Sequence, residues 1–450
     1  MSPTQLRNAR KRKAAKAKKA KEKEQREREE IRRERGDKFP VKSLDLSKGE
    51  GSKKSKPSID PSQAYISSPK TCPRVLSAAS YFASKSLPYP VHVGPLTGWR
   101  TSSKLAVRLN HKGKLTIGLF EPSSHKITPA SSSPAHHPSI NAVVKILEST
   151  ASKIGVTPYD ESTNLGDLKF VFLNVDRKSG TVQLTLIVNL LPTSPLPSSL
   201  SSLTSTLPSL TPLISTIYVH YNLSTTKHDN NIFSFEPDTW SLLFGPPCGI
   251  EEELEDVKTP YQLKLYFPPT VFRQANVTAF QGIVGRIREV IGELGRKDLR
   301  VLELYGGVGT IGLNLLDYVS KLVSSDENPH NLTPFNTSLQ NLPKNLRKKA
   351  SYLQESAEGV VKSGNLSRNS FDLVVVDPPR KGCNPAVLQA LCGRGEKDLK
   401  TLIYVSCGFD AFKRDAETLE GKGGWKLERG EGRVLFPGAD AVETLAVFKR

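Results

Sequence analysis

The 450-residue chain holds 64 Lys+Arg against 45 Asp+Glu, a net charge of +19, with 37% hydrophobic residues. That length suits two or three domains with a sizeable core. The composition excludes a wholly disordered chain, and no run reaches the ~18 apolar residues of a membrane-spanning helix. Cys72, Cys248, Cys383, Cys392 and Cys407 are widely spaced and form no Cys-x-x-Cys. This excludes a disulfide framework or thiolate metal cage and suits a reducing compartment.

The charge is uneven along the chain. Residues 1–57 carry 21 Lys/Arg and 9 Asp/Glu, so +12 of the +19 belongs to a tail. Arg7–Lys19 has eight basic residues and no acid, and the following run to Arg35 mixes both signs. A helix polar all round has nothing to pack against, so a frayed helix or disorder is expected. Such a tail reads as a phosphate-binding arm or nuclear-import address, or simply as a solubilising extension. With no apolar core in this run, no secretion signal is expected. A linker is expected at 58–71.

From 72 to 270 the pattern predicts an α+β module. Lys104–Leu109 and Lys114–Leu119 flank an Asn-His-Lys-Gly turn, and Asp167–Val175 and Thr181–Asn189 flank Arg-Lys-Ser-Gly, two hairpin signals. Leu196, Leu200, Leu203, Leu207 and Leu210 recur at helical spacing through a Ser/Thr-rich stretch. They predict an amphipathic helix that Pro208 can kink. Further strands are expected at Ile217–Leu223, Asn231–Phe235 and Tyr261–Phe267.

Residues 271–450 alternate between strand and helix. Strands are expected at Arg300–Leu304, Lys321–Ser325, Ser351–Gln354, Phe371–Val376, Thr401–Val405, Trp425–Glu428 and Thr444–Lys449. Helices are expected from the glycine loop to Tyr318, at Asn384–Leu391 and at Phe409–Leu419. This alternation predicts an α/β fold with a parallel sheet covered on both faces, its ligands bound at the carboxyl ends of the strands.

Four motifs sit at or beside strand ends. Glu303-Leu304-Tyr305-Gly306-Gly307-Val308-Gly309-Thr310 brings backbone close to a ligand, and Asp326, after the next strand, suits ribose hydroxyls; together they suggest a nucleoside cofactor. In Asp377-Pro378-Pro379-Arg380-Lys381-Gly382 the prolines stiffen the turn that carries the carboxylate. Tyr404-Val405-Ser406-Cys407 ends another core strand, so its thiol is either a packing group or a nucleophile in the crevice. Glu443, just before the last strand, is either a surface acid or a general base.

In this order the motifs resemble the S-adenosylmethionine-dependent RNA 5-methyluridine methyltransferases. That family has Y-C-G-x-G, an acid after the second strand, D-P-P-R-x-G, V-S-C-N-P and F-P-x-T-x-H-x-E; here these read YGGVG, Asp326, DPPRKG, VSCGF and FPGADAVE. Phe272-Arg273-Gln274-Ala275-Asn276 resembles its F-x-Q-x-N, and Gly94–Arg108 the start of its RNA-contacting domain. The resemblance implies a Rossmann-like class I methyltransferase domain at 271–450 and an RNA-recognition module at 72–270. It implies S-adenosyl-L-methionine as cofactor and RNA (tRNA or rRNA) as partner, with no membrane and a monomeric enzyme. It makes Cys407 the nucleophile toward uracil C6 and Glu443 the base that removes the C5 proton. Gln274, Tyr305, Gly307, Gly309, Thr310, Asp326 and Asp377 would form the cofactor and base pocket.

The chain departs from the family at Gly306, at Gly408-Phe409 in place of Asn-Pro, and at Ala439 and Ala441 in place of Thr and His. With only Cys72 near the N-terminus, no iron–sulfur cluster is expected. Two other readings stay open: an RNA cytosine-C5 methyltransferase, which typically has Cys where Arg380 stands, and a catalytically silent RNA-binding factor on the same scaffold.

Overall fold

The computed structural model describes residues 61–121, 124, 126–223, 238–247, 249–364, 366, 370–393 and 398–450. The basic tail, the strand expected at Asn231–Phe235 and Cys248 lie outside them. Among the described residues no helix is long and apolar enough to cross a membrane.

A helix at Pro73–Ser84 and strand β1 (Val91–Val93) come first, and both pack with the C-terminal half rather than with the central module. The central module is a seven-stranded sheet of β2 (Ser102–Leu109), β3 (Leu115–Phe120), β4 (Ile127–Pro129), β5 (Leu168–Val175), β6 (Val182–Val188), β7 (Ile214–Tyr221) and β8 (Trp240–Phe244). Its order is β4-β3-β2-β5-β6-β7-β8, antiparallel except for the parallel pair β6–β7.

The Leu-Ser-Thr helix forms at Ser198–Leu210 and is the crossover between those parallel strands. Leu200, Leu203 and Leu207 are fully buried in the core that covers one sheet face, each worth about 1.5–3 kcal/mol of apolar burial. Leu210 is exposed instead, because the helix ends there. Outer hydroxyls of Thr204, Ser205 and Ser209 bond back to carbonyls three residues earlier, which keeps a Ser/Thr-rich face compatible with helix.

A short antiparallel pair, β9 (Ile250–Glu252) and β10 (Leu265–Phe267), precedes the C-terminal sheet. That sheet adds β11 (Leu299–Leu304), β12 (Val319–Ser325), β13 (Ala350–Leu353), β14 (Leu373–Val376), β15 (Thr401–Ser406), β16 (Lys426–Val434) and β17 (Glu443–Lys449). The eight strands run β1-β16-β17-β15-β14-β11-β12-β13. β11 to β15 are parallel, and only β17 is antiparallel to its neighbours.

Alternate residues face opposite layers. Val301, Leu373, Val375, Ile403 and Val447 pack toward the helix Val277–Gly292. Leu302, Leu304, Val374, Val376, Leu402 and Phe448 pack toward helices Pro73–Ser84, Pro385–Cys392 and Phe409–Gly423. This is the Rossmann-like arrangement that the sequence predicts, with an antiparallel last strand added.

The helix expected between the glycine loop and Tyr318 is absent. Only a 3-10 turn forms, at Gly312–Leu315. Side chains take the backbone groups that helix would use. Asn314 Nδ2 donates to the Thr310 carbonyl, Arg288 donates to that of Asn314, and Tyr261 Oη donates to Leu313 O while accepting from Leu316 N–H.

Candidate active site

Register alone assembles the crevice. Leu304 pairs with Ser325 on one side and Val376 on the other. Tyr305, Asp326 and Asp377 therefore emerge side by side from three adjacent strands, where the strand order reverses between β11 and β14. On the next strands Ser406 lies opposite Thr444, which brings Cys407 and Glu443 out at the same edge.

Behind the glycine loop stands Glu303, 2% exposed. Its Oε1 accepts the Gly312 N–H at 2.8 Å, and its Oε2 accepts the Ser324 hydroxyl at 2.6 Å. Desolvation raises its carboxyl to about 7. A side chain on Gly306 would overlap Ser324 Oγ and come within 2.8 Å of Glu303 Oε2, so glycine is required where the resembling family carries Cys. The motif reading gives Glu303 no role. Its signal in the sequence is a lone acid at an inward-facing position of a buried strand.

Tyr305 takes a left-handed conformation (φ 61°), as do Gly307 and Gly309. Its hydroxyl accepts the Asn384 N–H at 3.2 Å. Three of the loop amides are bonded within the protein: Gly306 N–H to Ser325 O, Gly307 N–H to Asp326 Oδ2 and Gly309 N–H to Gly306 O. With those three amides turned inward and only a 3-10 turn following, the loop offers no α-helix N-terminus to a phosphate.

A cleft opens over this loop. Of the residues expected at the cofactor site, Gln274, Tyr305, Gly307, Thr310 and Asp377 line it. Gly309 and Asp326 do not. Gly309 is packed so tightly that a side chain would meet the Phe335 ring at 2.6 Å, while Asp326 braces the loop from behind. Glu252 and Arg273, unforeseen from sequence, form a buried ion pair in the cleft wall. Arg177 joins the same carboxylate at 2.6 Å.

Asp377, Glu443 and Cys407 act on one another electrostatically. Burial, then the Glu443 and Glu303 charges, push Asp377 well above the usual carboxylate range. Burial raises Glu443 to about 7, with Arg380 pulling it down. Burial and then the Glu443 and Asp377 charges raise the Cys407 thiol to about 11, against the pull of Arg380. Arg380 itself is exposed, and the motif reading gives it no role either. Of the other described cysteines, Cys383 is a buried thiol pushed up to about 12, and Cys72 and Cys392 also pack into the sheet's second layer.

The departures around Cys407 fit together. A side chain on Gly408 would overlap the Arg380 carbonyl oxygen, so the Cys407 loop and the Asp377 loop touch backbone to backbone. Phe409 is 2% exposed and packs against Tyr81 and Phe412, anchoring the helix that follows.

No family model matches the chain. An uncharacterized RNA methyltransferase of Protochlamydia amoebophila is 33% identical over 363 residues, covering 80% of this chain and 88% of that one. The chain belongs to the RNA methyltransferase family. A second relative of this methyltransferase, an uncharacterized RNA methyltransferase of Listeria innocua, is 25% identical across 78% of the chain and 71% of its own length. Among solved structures, the tRNA (uracil-54, C5)-methyltransferase of Pyrococcus abyssi in complex with S-adenosyl-L-homocysteine aligns with a TM-score of 0.62. It is 19% identical and covers 83% of this chain and 82% of its own, a likeness of fold.

The fold is that of the S-adenosylmethionine-dependent methyltransferases, and the cleft residues suit that cofactor. S-adenosylmethionine carries a sulfonium and an ammonium but no phosphate. Glu252, Glu303 and Asp377 line the cleft, and Arg273, its one lining cation among the described residues, is already paired. Burial and the Glu443 and Glu303 charges push Asp377 well above the usual carboxylate range, and a cation bound beside it would offset both effects. Among the described residues no cluster of His, Cys, Asp or Glu could hold a metal ion.

Proposed function

We propose that this RNA methyltransferase methylates C5 of a uridine in structured RNA through a covalent adduct with Cys407. The observation that carries the reading is the emergence of Cys407, Glu443 and Asp377 at neighbouring strand ends, beside the cofactor cleft, with their charges coupled. The fold likeness to a tRNA uracil-C5 methyltransferase supports it. Gln274, Tyr305, Gly307, Thr310 and Asp377 would hold S-adenosylmethionine and the target base, with Gly309 and Asp326 shaping the loop.

Uracil C5 is a weak nucleophile. In the reading proposed here, the Cys407 thiol loses its proton to solvent as its sulfur bonds to C6, and the C5=C6 electron pair moves onto C5. S-adenosylmethionine supplies the electrophilic methyl group. Glu443 then takes the C5 proton, the double bond reforms, and the thiolate leaves. At about 7, Glu443 is poised to accept a proton near neutrality. Cys407, at about 11, is a thiol in the free protein; Arg380 favours its thiolate.

In the same reading, the module at 72–270 selects the RNA, and the tail at 1–57 adds salt-sensitive phosphate affinity to a monomeric enzyme.

The test uses tRNA and ribosomal RNA transcripts made with 5-fluorouridine, whose fluorine cannot leave as a proton does. With S-adenosylmethionine the protein is expected to form a denaturation-stable adduct that Cys407→Ala abolishes. An adduct persisting in Cys407→Ala refutes the nucleophile. An adduct only with 5-fluorocytidine RNA would reassign the target base, and no adduct with either would favour a silent scaffold.

A further inference from the structure

Residues 62–89 precede the C-terminal sheet in sequence, yet they touch the loops that carry Glu443 and Cys407. The helix Pro73–Ser84 has Cys72 at its N-cap position, and that side chain makes no capping bond. With Pro73 lacking an N–H, the first free amide is that of Arg74. It donates to Asp440 Oδ1 at 2.8 Å, so the missing cap comes from 366 residues away. Asp440 stands three residues before Glu443, in the loop between β16 and β17.

Other contacts reach the same loop. Tyr65 N–H donates to the Gly438 carbonyl at 3.0 Å. A side chain on Gly438 would overlap Ser62 O and lie 2.8 Å from Gln63 Cα, so these backbones are pressed together. Tyr89 Oη is 2.9 Å from the hydroxyl of Thr444, the fully buried neighbour of Glu443.

The Cys407 side is gripped as well. The Arg74 guanidinium pairs with Asp410 Oδ2 at 2.5 Å, and Tyr81 packs edge-on against Phe409 at 5.9 Å between ring centroids.

Glu443 opens β17, paired with Arg433 of β16, but the loop that leads into it carries few polar side chains of its own. Its positions 439 and 441 are alanines, where the resembling family carries Thr and His. Two short internal backbone bonds, Ala439 N–H to Phe436 O and Ala441 N–H to Ala439 O, shape it.

We propose that segment 62–89 is a brace holding the Glu443 and Cys407 loops in register, with Asp440 as its positioning residue. It stands in for the polar side chains this loop lacks, and it rests on the reading of Cys407 and Glu443 as nucleophile and base. The brace bears more on Glu443 than on Cys407, because Asp440, Gly438 and Thr444 belong to the base's own loop and strand.

The test compares the full-length wild type with Asp440→Ala and Asp440→Asn. Asn keeps the Oδ1 acceptor and caps a helix as well as Asp does. Asp440→Ala is expected to form the 5-fluorouridine adduct at close to the wild-type rate and to bind S-adenosylmethionine normally. On ordinary RNA transcripts its kcat should fall about 10-fold or more and KM should fall with it, leaving kcat/KM near the wild-type value, as the adduct accumulates; a displacement well under 1 Å suffices for that. Asp440→Asn should restore turnover to within about twofold.

Wild-type turnover in Asp440→Ala, or an equal loss in Asp440→Asn, overturns the brace. Should Asp440→Ala not fold, Tyr89→Phe removes a single bond to Thr444 and is expected to show the same loss of kcat at unchanged kcat/KM, about threefold. Full activity in that variant overturns the inference. A wild-type protein that forms no adduct at all refutes the uracil-C5 reading instead, so the two failures are told apart.

Discussion

Gly408→Ala probes the close backbone approach between the Cys407 and Asp377 loops. Gly408 has an ordinary φ of −130°, so alanine brings no backbone strain, only a methyl group. That methyl would overlap the Arg380 carbonyl oxygen and stand 3.0 Å from its carbonyl carbon and 3.1 Å from its Cα, where ordinary contacts begin at about 3.5 Å. Every obstructing atom is backbone, so no side chain can swing aside. Either loop can yield, but Pro378 and Pro379 stiffen one, and Phe409, buried at the start of its helix, anchors the other. The loops must then part by roughly an ångström, a displacement that costs about 100-fold in rate when it separates reacting groups.

Overpacking of this kind should also cost about 1–3 kcal/mol of stability. The assay is the rate of adduct formation with 5-fluorouridine RNA, beside S-adenosylmethionine affinity and thermal unfolding. Adduct formation should slow about 100-fold while cofactor affinity stays within a few-fold, because of these two loops only Asp377 lines the cleft, three residues before the clash at Arg380. Wild-type adduct kinetics in Gly408→Ala would refute the claim that this contact sets the position of the thiol.

Glu443→Gln should form the adduct and hold it on ordinary RNA, since nothing then removes the C5 proton; rapid release would refute its role as base. In the wild type, the base form is the ionised one and its carboxyl sits at about 7. The proton-removal step should therefore slow about tenfold per pH unit below 7 and level off above it, read as the fraction of adduct trapped on ordinary RNA. A step independent of pH between 5.5 and 8 would contradict this. Glu303, raised from 4.5 to about 7, holds its proton more tightly folded than unfolded. Its contribution to stability is thus present below pH 4.5 and lost as pH rises through 7, about 3 kcal/mol in all. Glu303→Gln should remove that dependence, so denaturant curves for the two proteins that stay parallel from pH 4.5 to 8 would refute the assignment.

Much of the catalytic sheet was legible in the sequence because buried parallel strands read as apolar runs. Such runs are visible in Leu373–Val376 and Thr401–Ser406, both of which form strands where they were expected. The leucines at Leu200, Leu203 and Leu207 likewise overrode a Ser/Thr-rich composition, because burial of one face decides a helix.

The segment after the glycine loop misled for the opposite reason. Gly309 to Tyr318 has helical periodicity, but Asn314 bonds back to the Thr310 carbonyl, and Arg288 and Tyr261, from other parts of the chain, bond its backbone from outside. Pattern reading sees neighbours in sequence and is blind to such partners.

The sequence by itself determined the charge division, the alternation that makes the Rossmann-like sheet, and the acids and thiol at the strand ends, since each depends on local composition or on spacing along one element. Tertiary structure alone decided what those groups do to each other. It is the pairing of Leu304 with Ser325 and Val376, and of Ser406 with Thr444, that sets Asp377, Cys407 and Glu443 within reach of one another's charge. It is burial in that company, a property of no single residue, that moves Glu443 to about 7 and Cys407 to about 11.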